Sequence, residues 1–77
     1  MSEYLYLDHG TIKRWNVGGN GRAMAAIHAY ASEGSKMRQK RAICRLIQAI
    51  GGPIIDEWTG EEMTKPDANR YVMEYRP

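Results

Sequence analysis

Between Lys36 and Ile50 the chain carries its clearest pattern. Ile43, Leu46, Ile47 and Ile50 recur at helical spacing on one stripe, and Arg38, Arg41 and Arg45 gather on the opposite side. A segment of this kind is an amphipathic helix, stable only when its apolar stripe is covered by something else. Gly51-Gly52-Pro53 ends it, with glycine for a left-handed cap and a proline that cannot continue the helix.

The cover has to come from a chain of 77 residues, too few for two independent cores, so a single α+β domain over 1–77 is expected. Its large aliphatic side chains are seven Ile, three Leu, two Val and five Met, with no Phe, which suffices for one thin core. No disulfide pair or metal cage is available as a staple, so stability must come from packing, and a homodimer is one further way to bury surface. The single cysteine, Cys44, sits within the helical pattern and reads as a packing residue in a reducing compartment. The opening Met1-Ser2-Glu3-Tyr4 is not a basic region followed by an apolar run, and no stretch reaches the roughly 18 apolar residues of a membrane span. A cytoplasmic protein with no membrane partner is the expectation.

Tyr4 to Leu7 and Thr11 to Val17 are rich in aromatic and β-branched residues around Asp8-His9-Gly10, which predicts a hairpin. Gly18-Gly19-Asn20-Gly21 breaks the second strand, and Asn20 is a good N-cap for a helix from Arg22 to Ser32. Gly34 is expected to end that helix, with Ser35 capping the next from Lys36 to Ile50; the alternative is one long helix kinked at Gly34. Ile54 to Trp58 and Arg70 to Arg76 read as two more strands, the latter because Tyr71, Met73 and Tyr75 alternate with polar neighbours. Lys65-Pro66-Asp67 reads as part of the loop between them. The predicted order is ββααββ, a small antiparallel sheet covered on one face by two helices.

Eleven Lys and Arg against nine Asp and Glu give a formal charge of +2, too small for a protein built to coat nucleic acid. The distribution says more than the total. Lys36, Arg38, Lys40, Arg41 and Arg45 fall in one segment and Asp56, Glu57, Glu61 and Glu62 in the next, so the molecule has a basic and an acidic side. Those five cations are the candidate surface for a partner or for nucleic acid, since guanidinium groups along an exposed helix face can reach consecutive phosphates. The alternative is a solvated helix face.

Catalytic chemistry finds little support. Gly18 to Arg22 joins a strand to a helix where free amides can hold an anion, yet it lacks the lysine and spacing of a P-loop and reads first as a tight connection. His9 and His28 have no second ligand at metal spacing, and a Cys44–His28 pair needs one particular helix register. Asp56 and Glu57 point to opposite faces of a strand and so cannot act together as acid and base. Tyr4, Tyr6, Trp15, Trp58, Tyr71 and Tyr75 all fall on predicted strands, where they suit either an interface or the core.

These readings point to a non-enzymatic binding protein without cofactor or metal. It would act stoichiometrically on a protein or nucleoprotein partner as an inhibitor, adaptor or regulator, and a small chain of this kind suits a phage or other mobile-element accessory protein. The competing expectation is a DNA- or RNA-binding protein that meets phosphates through the basic helix.

Overall fold

A computed structural model describes residues 2–76. The hairpin forms as the aromatic and β-branched residues dictate, with β1 over Tyr4–Asp8 and β2 over Thr11–Asn16. Leu5 and Leu7 are fully buried and alternate with half-buried Tyr4, Tyr6 and Asp8, so β1 shows the helices one wholly apolar edge of its pleat. A bulge between Tyr6 and Leu7 shifts the register: Leu7 pairs with Ile12 but Tyr6 pairs with Arg14. Ile12 and Trp15 therefore share the helix side opposite Leu7 and Leu5, whereas strict alternation along β2 separates them.

Helices α1 (Gly21–Ser32) and α2 (Lys36–Ala49) follow, each started by a side-chain cap. Asn20 accepts the Ala23 N–H at 3.1 Å and Ser35 accepts the Arg38 N–H at 3.5 Å. The predicted stripe of α2 is the centre of the core: Ile43, Leu46 and Ile47 are fully buried and Ile50 nearly so. Each contributes on the order of 1.5–3 kcal/mol by leaving water. They meet Leu5, Leu7 and Ile54 from the sheet and Ala23, Ala26 and Ile27 from α1 in one continuous cluster.

The sheet is completed by β3 (Ile54–Asp56) and β4 (Glu62–Met63) in the order β2-β1-β3-β4. The α+β class and the ββααββ order are thus observed, with two corrections in detail. The central pair, β1 with β3, runs parallel, so the expected antiparallel sheet is mixed. The strand expected over Arg70–Arg76 is instead, over its first five residues, the C-terminal half of a third helix, α3 (Lys65–Glu74), with Tyr75 as the C-cap, and its fourth-strand place is taken by β4. Thr64 caps α3 by accepting the Asp67 N–H at 3.2 Å, and Pro66 and Asp67 stand in its first turn. Ala68 and Val72 are fully buried, Tyr71 packs beside them, and α3 closes against α2.

The end of α2 also differs from expectation. Neither Gly51 nor Gly52 takes a left-handed conformation; Ile50 caps the helix in an extended one and donates its N–H to the Leu46 carbonyl at 2.8 Å. Glycine is needed there for closeness. A Cβ on Gly52 would stand 1.8 Å from the backbone oxygen of Glu3. The Glu3 carboxylate accepts the Gly51 N–H at 2.8 Å and the Asn20 side-chain amide at 3.0 Å, joining the start of β1, the N-cap of α1 and the end of α2.

Candidate anion-binding cleft

Where α1, α2 and α3 meet, a concavity of about 450 Å³ opens between Arg22, Arg41, Cys44, Arg45, Gln48 and Asn69. Helical spacing builds it. Arg41, Cys44, Arg45 and Gln48 are related by three or four residues along α2, so they stand on one face beside Arg22 of α1. Ala26 and Ala49 line its floor, and their short side chains leave the space that larger residues would fill.

The three guanidinium groups have no acidic partners among the described residues. Among the described residues the ion pairs are Arg14–Glu57 and Arg70–Asp67, and neither includes Arg22, Arg41 or Arg45. Each guanidinium offers five N–H donors in a fixed fork that matches phosphate or carboxylate. Three such groups, all exposed, border one concavity from two helices.

The predicted basic surface therefore divides. Arg41 and Arg45 line this cleft; Lys36 and Lys40 line a separate groove at the other end of α2; exposed Arg38 lines neither. Arg22 was outside the sequence-derived set. Its signal was present in the Gly18–Arg22 segment, but spacing within α2 says nothing about which residue of α1 lies alongside. The glycine segment itself is a tight connection: the Gly18 N–H donates to the Asn16 side chain at 3.0 Å and the Asn20 N–H to the Val17 carbonyl at 2.9 Å.

Cys44 is half-buried in the cleft wall, and burial pushes its thiol pKa up, away from the reactive thiolate. His28 is exposed on α1, and no hydrogen bond joins it to Cys44 among the described residues. No three His, Cys, Asp or Glu among the described residues gather closely enough to hold a metal ion.

A second constellation lies at the hairpin turn. His9 takes a left-handed φ of 56°, and its ring stacks on Trp58 and on Tyr75 with centroids 5.3 and 4.9 Å away. The Tyr71 hydroxyl lies 3.2 Å from His9 Nδ1 and 3.3 Å from Asp56 Oδ1. Burial, reinforced by the Asp56 and Asp8 carboxylates, raises the Tyr71 pKa, although the His9 N–H bond opposes this, so the residue remains a phenol. Trp58 is 68% exposed, but its indole N–H is fixed on Asp8 at 2.7 Å. Of the six aromatic residues expected on strands, only Tyr4, Tyr6 and Trp15 are there; Trp58 sits in a turn, Tyr71 in α3 and Tyr75 at its C-cap. Asp56 also accepts the Trp58 N–H at 2.9 Å, which gives this carboxylate a turn-forming role.

Comparison with protein-family models, with curated proteins and with solved structures returns no match. No helix among the described residues is long and apolar enough to cross a membrane.

Proposed function

We propose that this chain is a non-catalytic protein that binds stoichiometrically to a phosphate-bearing partner, a nucleic acid or a nucleoprotein complex, through the arginine cleft. The observation that supports this reading is the convergence of Arg22, Arg41 and Arg45 on one concave surface without a carboxylate partner among the described residues. Guanidinium groups that serve folding alone are commonly paired or spread over a solvated face, whereas an unpaired set on a concavity favours anionic ligands by charge and by fork geometry. The raised pKa of Cys44 supports a binding role over nucleophilic chemistry. Acting as an inhibitor, adaptor or regulator follows naturally for a protein that occupies its partner without transforming it.

The test is fluorescence anisotropy with labelled single- and double-stranded DNA and RNA at low and near-physiological salt. Binding should weaken steeply with salt, and Arg45→Ala should reduce the logarithmic salt slope by about 1, the signature of one lost phosphate contact. Absence of binding to every oligonucleotide at low salt would sink the proposal.

A further inference from the structure

The second groove has a different chemistry. It occupies about 350 Å³ between the hairpin turn at Gly10, the first turns of α2 and the residues after α3, and its walls include Lys36, Met37, Lys40, Tyr75 and Arg76. It shares no lining residue with the arginine cleft. We propose that it receives a large apolar side chain flanked by carboxylates, presented by an acidic segment of a partner protein.

The apolar half of the argument rests on Met37 and Tyr75. Met37 is 49% exposed on α2, and methionine is an unbranched, adaptable side chain suited to surfaces that must repack around an incoming group. Tyr75 comes close to the hairpin because residue 10 is glycine: a Cβ there would stand 3.2 Å from Tyr75 Cδ2. One face of the tyrosine ring is already committed to His9, which favours an aliphatic or aromatic side chain in the groove over stacking of successive bases.

The charged half rests on Lys36, Lys40 and Arg76. No acidic residue among those described lines the groove. Lys40 donates to the Tyr75 carbonyl at 3.0 Å, which holds its ammonium at the groove and leaves two of its three N–H donors for a ligand. Lys36 and Lys40 are one helical turn apart on one face with Met37 beside them, so carboxylates next to an apolar anchor can meet both. The position of Lys36 does not serve the helix. The first turn of α2 contains no acidic residue, and cations there oppose the helix dipole. A phosphate backbone would satisfy the charges but leave Met37 exposed.

The experiment is methyl NMR on the whole chain labelled at methionine, with the Met37 signal assigned through Met37→Leu. The probe is an acetylated hexapeptide, Glu-Asp-Phe-Leu-Asp-Glu; a peptide with lysine at each acidic position and a short single-stranded DNA are the comparisons. The acidic peptide should shift the Met37 methyl saturably, and Lys36→Glu should weaken this by about tenfold or more, because it replaces an attraction with a repulsion. That variant puts a carboxylate where the helix dipole favours it, so weaker binding cannot be ascribed to unfolding. Arg45→Ala should leave the peptide affinity unchanged, which separates this groove from the arginine cleft. An unshifted Met37 at millimolar peptide, or an equal response to the lysine peptide, would overturn the proposal. A Met37 shift with DNA that Lys36→Glu abolishes would overturn it too and assign the groove to nucleic acid.

Discussion

The hydroxyl of Tyr71 accepts the backbone N–H of His9 at 2.9 Å, pinning the tip of the β1–β2 hairpin to α3 across 62 residues of sequence. The same hydroxyl reaches Asp56 at 3.3 Å, so one phenol holds the turn, the helix and the end of β3 together. Tyr71→Phe keeps the ring but leaves a half-buried N–H and a carboxylate oxygen without this partner. The expected cost is about 1–2 kcal/mol, read as a lower urea midpoint with an unchanged slope. Tyr4→Phe is the control, since the Tyr4 hydroxyl has no hydrogen bond among the described residues, and it should change stability by less than about 0.5 kcal/mol. Equal midpoints for the two variants would show that the Tyr71 bond contributes nothing.

Glu3 should make stability depend on pH in the acid range. The Gly51 N–H and, secondarily, the Asn20 amide hold its carboxyl below the ordinary 4.5, with a small opposing effect of burial. A folded-state pKa below the unfolded one means that the ionised form favours folding. The contribution is complete above the unfolded pKa and disappears as pH falls through the folded one. Glu3→Gln should therefore be less stable than the parent chain near neutral pH, and the gap should close on acidification. Urea midpoints across a pH series check this, and a gap independent of pH would mean that the carboxylate charge plays no part.

Adjacent glycines at the same junction should respond differently. Alanine at Gly52 would drive its Cβ into the Glu3 backbone, which cannot turn aside, and a cost of about 3 kcal/mol or more is expected. At Gly51 the nearest atom is a Glu3 carboxylate oxygen at 3.1 Å, the movable end of a side chain, so Gly51→Ala should cost about 1 kcal/mol or less. Thermal unfolding followed by circular dichroism compares them, and similar losses would mean that the close approach at Gly52 does not govern the junction.

Cys44 tests whether the cleft holds an activated nucleophile. Because burial raises its pKa, iodoacetamide should alkylate it more slowly in the native chain than in the urea-unfolded chain at the same mildly alkaline pH. Faster native labelling, followed by mass spectrometry, would reveal an activated thiol.

Local signals carried the hairpin, α1, α2 and both their N-caps, because each of these elements states its own start and period; the form of the α2 C-cap was not legible. Ile43, Leu46, Ile47 and Ile50 were legible as core for the same reason. The third helix was hidden because its sequence satisfies two periods. Tyr71, Met73 and Tyr75 alternate as in a strand, while Ala68, Tyr71, Val72 and Tyr75 recur as in a helix, and the Thr64 cap with Pro66 in the first turn decides for the helix. The cleft was half legible. Arg41 and Arg45 follow from the period of α2, but Arg22 joins them only through tertiary packing of α1 on α2, and the parallel pairing of β1 with β3 is likewise a long-range choice.

Asn69 gives the cleft its sharpest separation of stability from binding. Its Oδ1 is buried with no hydrogen-bond donor among the described residues, on a side chain that lines the cleft beside the arginines. A buried acceptor without a partner costs about 1–3 kcal/mol, and asparagine is also a poorer helix former than alanine. Asn69→Ala should therefore raise stability by about 0.5–1.5 kcal/mol. If the amide serves the partner bound by the arginines, the same variant should bind nucleic acid less tightly while its salt slope stays the same, because no charge has been removed. Urea unfolding and anisotropy on one preparation read both quantities. Stability and affinity moving in opposite directions would mark Asn69 as a binding residue retained at a cost to the fold; a fall in stability would mark it as structural.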